Sequence, residues 1–369
     1  MHEDPPNAIA PLLNPLLHAL EALAFIARHL YPPKFNDLMS SVGTPDQDLK
    51  VALAAQPEWP AHLSDIGATL NDVTDAALQA FASLRETVDG SFDVRRAYRA
   101  LRLATKGIEE LYPLASVLPA VNRFFLDPQL RSDEVFQRQF LRGTAHHQTG
   151  PMCFDSHGAE RGGYWLYIPE YYEPARKWPL VMALHGGSGT GRLFLWSWLR
   201  DVRSRGAILA APTSVGNTWA LIGDDPDTPN LARILDTIRS GWNVDPTRLL
   251  LTGMSDGGTF TYVTGLEAES PFTHLAPVSA AFHPMLAHMA DAGRTRGLPI
   301  HIVHGVLDWM FSVELARQAH GTLTRAGADV TYREVDDLSH TYPREMNAPI
   351  LAWLDATSAR RPSRNQPTR

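Results

Sequence analysis

The chain has 369 residues, of which 44% are hydrophobic and 20% are charged, with a formal net charge of −7 and a pI near 6.1. This length predicts one large domain plus an additional segment, with enough apolar residues for a sizeable core. The acidic balance gives no electrostatic reason to expect nucleic acid as a partner.

The residues that build disulfides, metal sites and membrane spans are sparse or unsuitably placed. Cys153 is the single cysteine, so the fold is not expected to depend on an oxidising compartment. None of the fifteen histidines falls in an H-E-x-x-H pattern, and we expect no metal and no other cofactor. The start Met-His-Glu-Asp-Pro-Pro is unlike a secretory signal, and we expect no apolar run to reach the ~20 residues of a membrane span. We therefore expect a soluble, cytoplasmic protein without a transmembrane segment.

Residues 1–145 predict an all-helical N-terminal domain. Leucine and alanine recur at three- and four-residue intervals over residues 14–30, and further helical patterns cover residues 61–88, 94–111 and 134–141. We expect the apolar stripe of the first helix to face the core. The domain carries no catalytic motif, so a lid, a docking module and a homodimer surface all stay open as its role.

Residues 146–162 predict a solvated linker. They begin with His146-His147, a pair that resembles a metal site only superficially, because adjacent side chains point apart.

From residue 163 short apolar runs alternate with amphipathic stretches. The apolar runs predict strands at residues 164–168, 180–184, 207–211, 249–251, 275–278, 300–303 and 330–335, with helices such as 230–240, 260–268 and 313–326 between them. Strands separated by helices imply a mainly parallel sheet with right-handed crossovers. We therefore predict an α/β catalytic domain over residues 163–357, followed by a disordered tail at 358–369.

The strand predicted at residues 249–251 leads into Gly253-Met254-Ser255-Asp256-Gly257, which matches G-x-S-x-G. Glycines on both sides of the serine permit a sharp strand-to-helix turn that lifts the serine oxygen out of the sheet. The backbone N–H of Asp256 would then stand at a helix start, where it can hydrogen-bond an oxyanion. Glycine-rich turns match this motif by chance, so the motif alone does not identify a nucleophile.

Three other predicted strands end in residues suited to chemistry, as expected at the carboxyl edge of a parallel sheet. The strand at 180–184 runs into His185-Gly186-Gly187, the strand at 300–303 is followed by Asp308, and the strand at 330–335 is followed by His340. The nucleophile, acid and base candidates thus appear in the order Ser255, Asp308, His340.

Each assignment has a rival. Asp336 and Asp337 compete with Asp308, but they lie very near His340 in sequence. Two other histidines compete with His340. His301 falls inside a predicted strand, so we interpret it as a core residue. His304 begins the loop that carries Asp308, so we expect it to support that loop.

The order Ser255, Asp308, His340, with His185-Gly186-Gly187 upstream, resembles the α/β-hydrolase superfamily. Three motifs are similar to those of esterases grouped with polyhydroxybutyrate depolymerases, feruloyl esterases and phospholipase/carboxylesterases. They are Leu-His-Gly-Gly, Ala-Pro-Thr followed by Trp219, and His-Gly-x-x-Asp. The resemblance covers roughly residues 160–356 and leaves the helical N-terminal segment outside the minimal fold. Extracellular members usually have secretion signals and disulfides, so an intracellular carboxylesterase fits this chain better.

The resemblance implies a serine esterase that acts through an acyl-enzyme. His340 would take the proton of Ser255, Asp308 would orient the imidazole, and the N–H groups of Gly187 and Asp256 would hold the oxyanion. Trp219, Trp309 and His185 are the candidate pocket residues.

Two questions stay open at this stage. The Asp256 carboxylate would either disfavour anionic substrates or cap the helix, and we expect the cap. The substrate would be a small or oligomeric ester, with an amidase or peptidase, or a catalytically silent binding protein of the same fold, as the alternatives.

Overall fold

A computed structural model describes residues 5–88, 93–141, 148–155 and 161–359. These residues form two compact units, Met1–Gln137 and Arg138–Arg369. The structural boundary thus precedes the predicted one at residue 145. His146, His147 and the tail from residue 360 onwards lie outside the described residues, so the predictions made for them are not addressed.

The first unit is helical, as the apolar periodicity predicts. Its α-helices are α1 (Pro5–His29), α2 (Phe35–Val42), α3 (Pro45–Ala55), α4 (Ser64–Val88), α5 (Val94–Leu111), α6 (Pro119–Phe124) and α7 (Glu134–Gln137). Short 3-10 segments lie at Pro32–Lys34, Ala61–Leu63, Tyr112–Ser116 and Pro128–Leu130. Helix α1 begins earlier than predicted and continues through Pro11 and Pro15.

The core of the first unit is built on the apolar stripe of α1. Leu12, Leu16 and Leu20 are fully buried, as is Phe81 of α4, which matches the expectation that the stripe faces the core. A buried ion pair ties α3 to α4, since Arg85 donates to both carboxylate oxygens of Asp46. Burial raises the pKa of Asp46, but the hydrogen bonds and charge of Arg85 outweigh it and bring that pKa below its usual value.

The expectation that no apolar run is long enough to span a membrane is wrong for α1, whereas the absence of a transmembrane segment stays a prediction. The stretch Ile9–His29 is 21 residues long and apolar enough, by length and composition, to cross a membrane. The stretch was overlooked because Asn14, His18 and Glu21 interrupt its apolar residues without making it polar on average. A core helix gives the same signature, and 44% of the most apolar part of this stretch is buried in the protein.

The second unit is an eight-stranded mixed sheet flanked by helices. Its strands are β1 (Gly150–Phe154), β2 (Tyr164–Ile168), β3 (Trp178–Leu184), β4 (Ile208–Pro212), β5 (Val244–Met254), β6 (His274–Val278), β7 (Pro299–Gly305) and β8 (Asp329–Val335). They are arranged in the order β1-β2-β4-β3-β5-β6-β7-β8. The six strands β3 to β8 pair in parallel, whereas β2 pairs antiparallel with both of its neighbours, β1 and β4. The predicted fold class, an α/β-hydrolase sheet with an N-terminal helical region, is confirmed.

The helices of the second unit connect these strands. They are α8 (Gly191–Arg205), α9 (Asp227–Gly241), α10 (Asp256–Gly265), α11 (Met285–Met289), α12 (Ala292–Thr295), α13 (Val313–Arg325) and α14 (Asn347–Ser358), with 3-10 segments at Arg138–Leu141 and Arg344–Met346. Helix α8 was not predicted. Its Phe194, Leu195, Trp196, Trp198 and Leu199 are all buried, so its apolar residues do not show the one-sided spacing on which the prediction depends.

Strand β1 lies inside the segment that was predicted as a linker. Its residues pair with β2 in register, for example Met152 with Leu166 and Cys153 with Trp165. The strand is only partly buried, and Gly150-Pro151-Met152-Cys153-Phe154 lacks the continuous apolar run that marks the central strands. The sequence of this edge strand therefore does not show the pattern that predicts a strand.

The register of the sheet brings the predicted site loops to one edge. Gly253, at the end of β5, pairs with Leu184, at the end of β3, and Gly305, at the end of β7, pairs with Val335, at the end of β8. Because these strands are parallel, the loops that follow them leave from the same edge of the sheet.

The turn after β5 has no room for side chains at its two glycines. A Cβ on Gly253 would lie 2.4 Å from the Gly257 carbonyl oxygen, and a Cβ on Gly257 would lie 2.4 Å from the Leu184 carbonyl oxygen. Since both obstacles are backbone atoms, neither can move aside cheaply.

We predict that Gly257→Ala lowers the free energy of unfolding of the second unit by at least about 2 kcal/mol, because the new methyl group overlaps the β3 backbone. Urea unfolding followed by tryptophan fluorescence measures this, since Trp59 is the single tryptophan that precedes Arg138. Gly241→Ala is the matched control, because its Cβ would meet no atom within 4 Å. Equal stability of the two variants would contradict the proposed constraint.

Candidate active site

Ser255 occupies a strained backbone position between β5 and α10. Its φ is 57° and its ψ is −119°, a conformation that costs a non-glycine residue about 1–3 kcal/mol. Neighbouring strands and the helix hold it there: the Ser255 N–H donates to the Val278 carbonyl at 3.0 Å, and the Ser255 carbonyl accepts from the Thr259 N–H at 2.8 Å. The geometry is that of a nucleophile elbow.

The structure brings Ser255, His340 and Asp308 together in one hydrogen-bonded chain. His340 Nε2 lies 3.0 Å from Ser255 Oγ. On the other side of the ring, His340 Nδ1 lies 2.9 Å from Asp308 Oδ2 and 3.0 Å from Oδ1. An ionised carboxylate only accepts, so Nδ1 carries the proton and Nε2 is free to accept the Ser255 hydroxyl proton.

Asp308 is held ionised and in place by its own loop. Its Oδ1 accepts hydrogen bonds from the N–H groups of Met310 and Phe311, at 3.0 and 2.8 Å. Burial raises the pKa of Asp308, but the hydrogen bond and charge of His340, with the Phe311 N–H, bring that pKa below its usual value. The rival acids Asp336 and Asp337 are exposed, and it is Asp308 that contacts the imidazole.

His304 supports the Asp308 loop. Its Nε2 lies 2.8 Å from the Phe311 carbonyl oxygen and 3.5 Å from Asp308 Oδ2. His301, by contrast, packs its ring edge-on against Trp353, with centroids 5.3 Å apart. Both positions agree with the interpretation of these histidines as supporting or core residues.

The His-Gly-Gly loop lies directly beside the nucleophile. A Cβ on Gly186 would be 3.5 Å from Ser255 Cβ, and a Cβ on Gly187 would be 2.8 Å from Asp256 Oδ2. The Gly189 N–H donates to the Gly186 carbonyl at 3.0 Å and closes the loop. Asp256 begins α10, where the first N–H groups of a helix have no partner within the helix. Gly187 and Asp256 therefore lie next to each other beside Ser255, and their role as oxyanion donors stays a prediction.

Two predicted pocket residues lie behind this loop instead of lining an open pocket. His185 is 1% exposed and Trp219 is 2% exposed. Trp219 Nε1 donates to the His185 carbonyl at 2.7 Å, and its ring lies against Phe260, with centroids 5.4 Å apart. Because they are buried, His185 and Trp219 do not line the pocket as predicted. They hold the His-Gly-Gly loop in position instead.

His185 is uncharged in its buried position. The Ser214 N–H donates to His185 Nε2 at 3.1 Å, which leaves the proton on Nδ1 for the Gly186 carbonyl at 2.7 Å. Burial lowers the pKa of His185 to about 4, so the ring is neutral at pH 7.

Trp309, the third predicted pocket residue, lies at the exposed side of the site. It is 43% exposed, and its ring meets the His340 ring edge-on with centroids 6.5 Å apart. Phe311 contacts the same imidazole at 5.2 Å. Trp309 is therefore placed to contact a ligand that approaches His340, and its role in binding stays a prediction.

The Asp256 side chain does not make the expected helix cap. It accepts a hydrogen bond from the Thr218 hydroxyl at 2.6 Å, and it stands inside the first turn of α10, after the capping position. A carboxylate there still favours the helix through the macrodipole. Its specific partner is nevertheless the loop after β4.

Two residues of this arrangement escaped the sequence analysis. Thr218 holds Asp256, and the buried Asp227 holds the loop that carries Thr218, because its two oxygens accept from the N–H groups of Val215 and Ala220 at 2.7 and 2.9 Å. Asp227 opens α9, so its position in sequence indicated only a helix start. No sequence signal pointed to Thr218.

A cavity of about 250 Å³ lies apart from the triad, lined by Cys153, Gly163, Tyr164, Trp165, Thr190, Arg192 and Thr213. Since Ser255 is not among these residues, the cavity does not size an acyl pocket. Within the described ranges no group of three or more His, Cys, Asp or Glu side chains is placed to hold a metal ion, and the absence of a cofactor stays a prediction.

Comparison with known proteins relates the second unit to esterases. Residues 227–358 match the phospholipase/carboxylesterase family. A bifunctional acetylxylan esterase/xylanase of Neocallimastix patriciarum is 28% identical over 200 residues, which are 51% of this chain and 27% of that protein. A protein named "Probable feruloyl esterase C" from Aspergillus terreus is 28% identical over 123 residues, which are 31% of this chain and 45% of that protein.

The chain thus spans less than half the length of either of these curated relatives. A crystal structure of a thermostable esterase is similar, with 23% identity and a TM-score of 0.47 over 56% of this chain and 62% of that one. The family match and the two relatives confirm the predicted resemblance to esterases of the α/β-hydrolase superfamily.

We predict that the second unit loses stability as the pH falls from 6.5 towards 4. Burial lowers the pKa of both His185 and His301 to about 4, so the unfolded chain binds protons in this window that the folded chain does not. Unfolding is therefore favoured by acid, by on the order of 3 kcal/mol per histidine at the low end of the window, with no such contribution above about pH 6.5.

Urea unfolding at pH 7.5, 5.5 and 4.5 measures this dependence. His301→Gln removes one of the two groups, and we expect a shallower fall of the unfolding free energy with acid, whatever its absolute stability. An unchanged slope would show that His301 is not the buried neutral group inferred from its surroundings.

Proposed function

From the α/β-hydrolase fold of the second unit, we propose that this chain is a serine hydrolase that cleaves carboxylic esters through an acyl-enzyme on Ser255. The observation that carries the proposal is the hydrogen-bonded chain from Ser255 through His340 to Asp308, assembled from the ends of three different strands. A serine hydroxyl is a weak nucleophile at neutral pH and needs a base within hydrogen-bond reach. The 3.0 Å separation from His340 Nε2 meets that requirement.

In the proposed reaction His340 Nε2 takes the Ser255 proton as Oγ attacks the ester carbonyl carbon. The resulting imidazolium is stabilised by the Asp308 carboxylate on Nδ1, and it then passes the proton to the departing alcohol oxygen. Water, activated by the same imidazole, attacks the acyl-enzyme and releases the acid. The first proton transfer is between two groups that the structure holds 3.0 Å apart, Ser255 Oγ and His340 Nε2.

The negative charge of the tetrahedral intermediate would be held by the N–H groups of Gly187 and Asp256. Both are main-chain donors on loops fixed by buried contacts, so they need little rearrangement when the charge develops. One such donor typically lowers the barrier by about 3 kcal/mol. The loop contacts of His185 and Trp219 support this part of the proposal.

The proposed substrate is a carboxylic ester, either a small molecule or an oligomer. The names of the two curated relatives direct attention to acetylxylan and feruloyl esters. Action inside the cell is part of the proposal and is supported by the single cysteine.

We expect the protein to hydrolyse p-nitrophenyl esters, with an optimum acyl length that reports the size of the acyl site, and we expect Ser255→Ala to abolish this turnover. Release of p-nitrophenolate measures both, and acetylated xylan and methyl ferulate extend the panel to the relatives' ester types. A p-nitroanilide of the best acyl group is the matched amide. Equal rates on ester and anilide would favour the amidase alternative, and no turnover of any ester would refute the esterase.

We expect Asp308→Asn to lower kcat/KM by about 10³-fold or more, because the amide no longer fixes the His340 tautomer or stabilises the imidazolium. Asp336→Asn makes the same chemical change at the exposed rival acid and should leave kcat/KM within about threefold. A large loss in Asp336→Asn, with little in Asp308→Asn, would reassign the acid.

A further inference from the structure

The carboxylate of Asp256 lies next to Gly187, the other residue of the proposed oxyanion hole. The residue directly follows the nucleophile, and its Oδ2 fills the space where Gly187 would carry a side chain, 2.8 Å from that Cβ position. The same two residues supply the proposed oxyanion donors. An ester whose carbonyl oxygen is held by these two donors would therefore have this carboxylate close to its reacting carbonyl.

The position of the carboxylate is fixed by Thr218, which lies next to both Asp256 and Gly187. Thr218 Oγ1 donates to Asp256 Oδ2 at 2.6 Å, and the loop of Thr218 is tied down by Asp227 and by the Trp219 bond to His185. Asp227 is 1% exposed, so this anchor is part of the core. The carboxylate is thus a fixed feature of the site and not a free surface group.

The charge of Asp256 is not neutralised by an ion pair. Among the described residues, no Lys, Arg or His nitrogen lies within 4.0 Å of its carboxylate oxygens. The nearby His185 ring is neutral at pH 7 because burial lowers its pKa to about 4. Arg161 is engaged with the Ser214 hydroxyl at 3.0 Å. The Asp256 carboxylate therefore keeps a charge that no ion pair within 4.0 Å neutralises among the residues described.

We propose that Asp256, held by Thr218 beside Gly187, is a specificity-determining residue that makes the site select uncharged or cationic esters and reject esters whose acyl or alcohol part is anionic. The inference rests on the proposed esterase function and names the charge class of its substrate. A purely structural role, in which the carboxylate only favours the start of α10 through the helix dipole, requires no discrimination by substrate charge.

The test compares esters that differ in charge at similar length. The neutral ester is methyl 4-nitrophenyl pimelate, the anionic one is 4-nitrophenyl hydrogen pimelate, and the cationic one is 4-nitrophenyl 6-(trimethylammonio)hexanoate. The readout is the ratio of kcat/KM for the neutral ester to that for the anionic ester. Comparing this ratio between variants cancels the intrinsic reactivity of each ester.

Asp256→Asn keeps the shape of the side chain and removes its charge. We expect it to lower the neutral-to-anionic ratio by about tenfold, the size of a partly screened interaction between two charges several ångströms apart, and to lower the preference for the cationic ester. Asp236→Asn is the matched control, because it makes the same change in net charge on an exposed residue of α9, and it should leave the ratio unchanged.

A second measurement needs no variant. If the discrimination is electrostatic, the wild-type ratio should fall as added salt shortens the Debye length from about 30 Å to about 3–4 Å. A ratio that is the same in wild type, Asp256→Asn and high salt overturns the inference and leaves the esterase intact. Absence of turnover of all three esters by the wild type overturns the esterase, and this inference with it.

Discussion

The geometry of the second unit depends on one tight turn, in which Ser255 is held at a φ of 57° between β5 and α10. The backbone of β3 leaves no room for a side chain at Gly257, and the backbone of Gly257 leaves none at Gly253. The strain of a non-glycine residue in this conformation, about 1–3 kcal/mol, has to be offset by the packing around it. The same turn places the serine hydroxyl above the sheet edge, and it puts the first N–H groups of α10 beside the His-Gly-Gly loop. The proposed nucleophile and the proposed oxyanion donor of Asp256 thus depend on the same backbone constraint.

Behind this turn, buried polar groups connect the loops that form the site. Asp227 holds the loop after β4, whose Trp219 and Thr218 reach the His185 carbonyl and the Asp256 carboxylate. His185, fully enclosed, accepts from the Ser214 N–H and bonds the Gly186 carbonyl. These links join the ends of β3, β4 and β5 into one rigid layer under the reacting groups. Because each buried polar atom in it would be costly to leave unpaired, the layer gives the oxyanion loop one preferred position.

Much of this could be predicted from the sequence, and the failures have physical causes. The central strands are apolar runs bounded by turn residues, so β2 to β8 were predicted, and the order of Ser255, Asp308 and His340 predicted which strand ends would meet. Edge strand β1 is only half-buried, so its sequence lacks a continuous apolar run. Helix α8 is apolar on several faces, so its apolar residues lack the three- to four-residue spacing that predicts a helix. His185 and Trp219 appear in sequence as residues beside the site, but their burial depends on which way the loop folds over the sheet. Thr218 meets Asp256 only through a contact across 38 residues of chain, which no local pattern encodes.

The central claim, an activated serine at Ser255, is tested most directly by reaction with a fluorophosphonate, followed by intact mass and peptide mapping. The account predicts a single adduct on the peptide that contains Ser255. It predicts none in Ser255→Ala, and labelling at least about 100-fold slower in His340→Ala, since the base that activates the hydroxyl is then absent. Labelling of a different residue, or equally fast labelling of Ser255 without His340, would contradict the account.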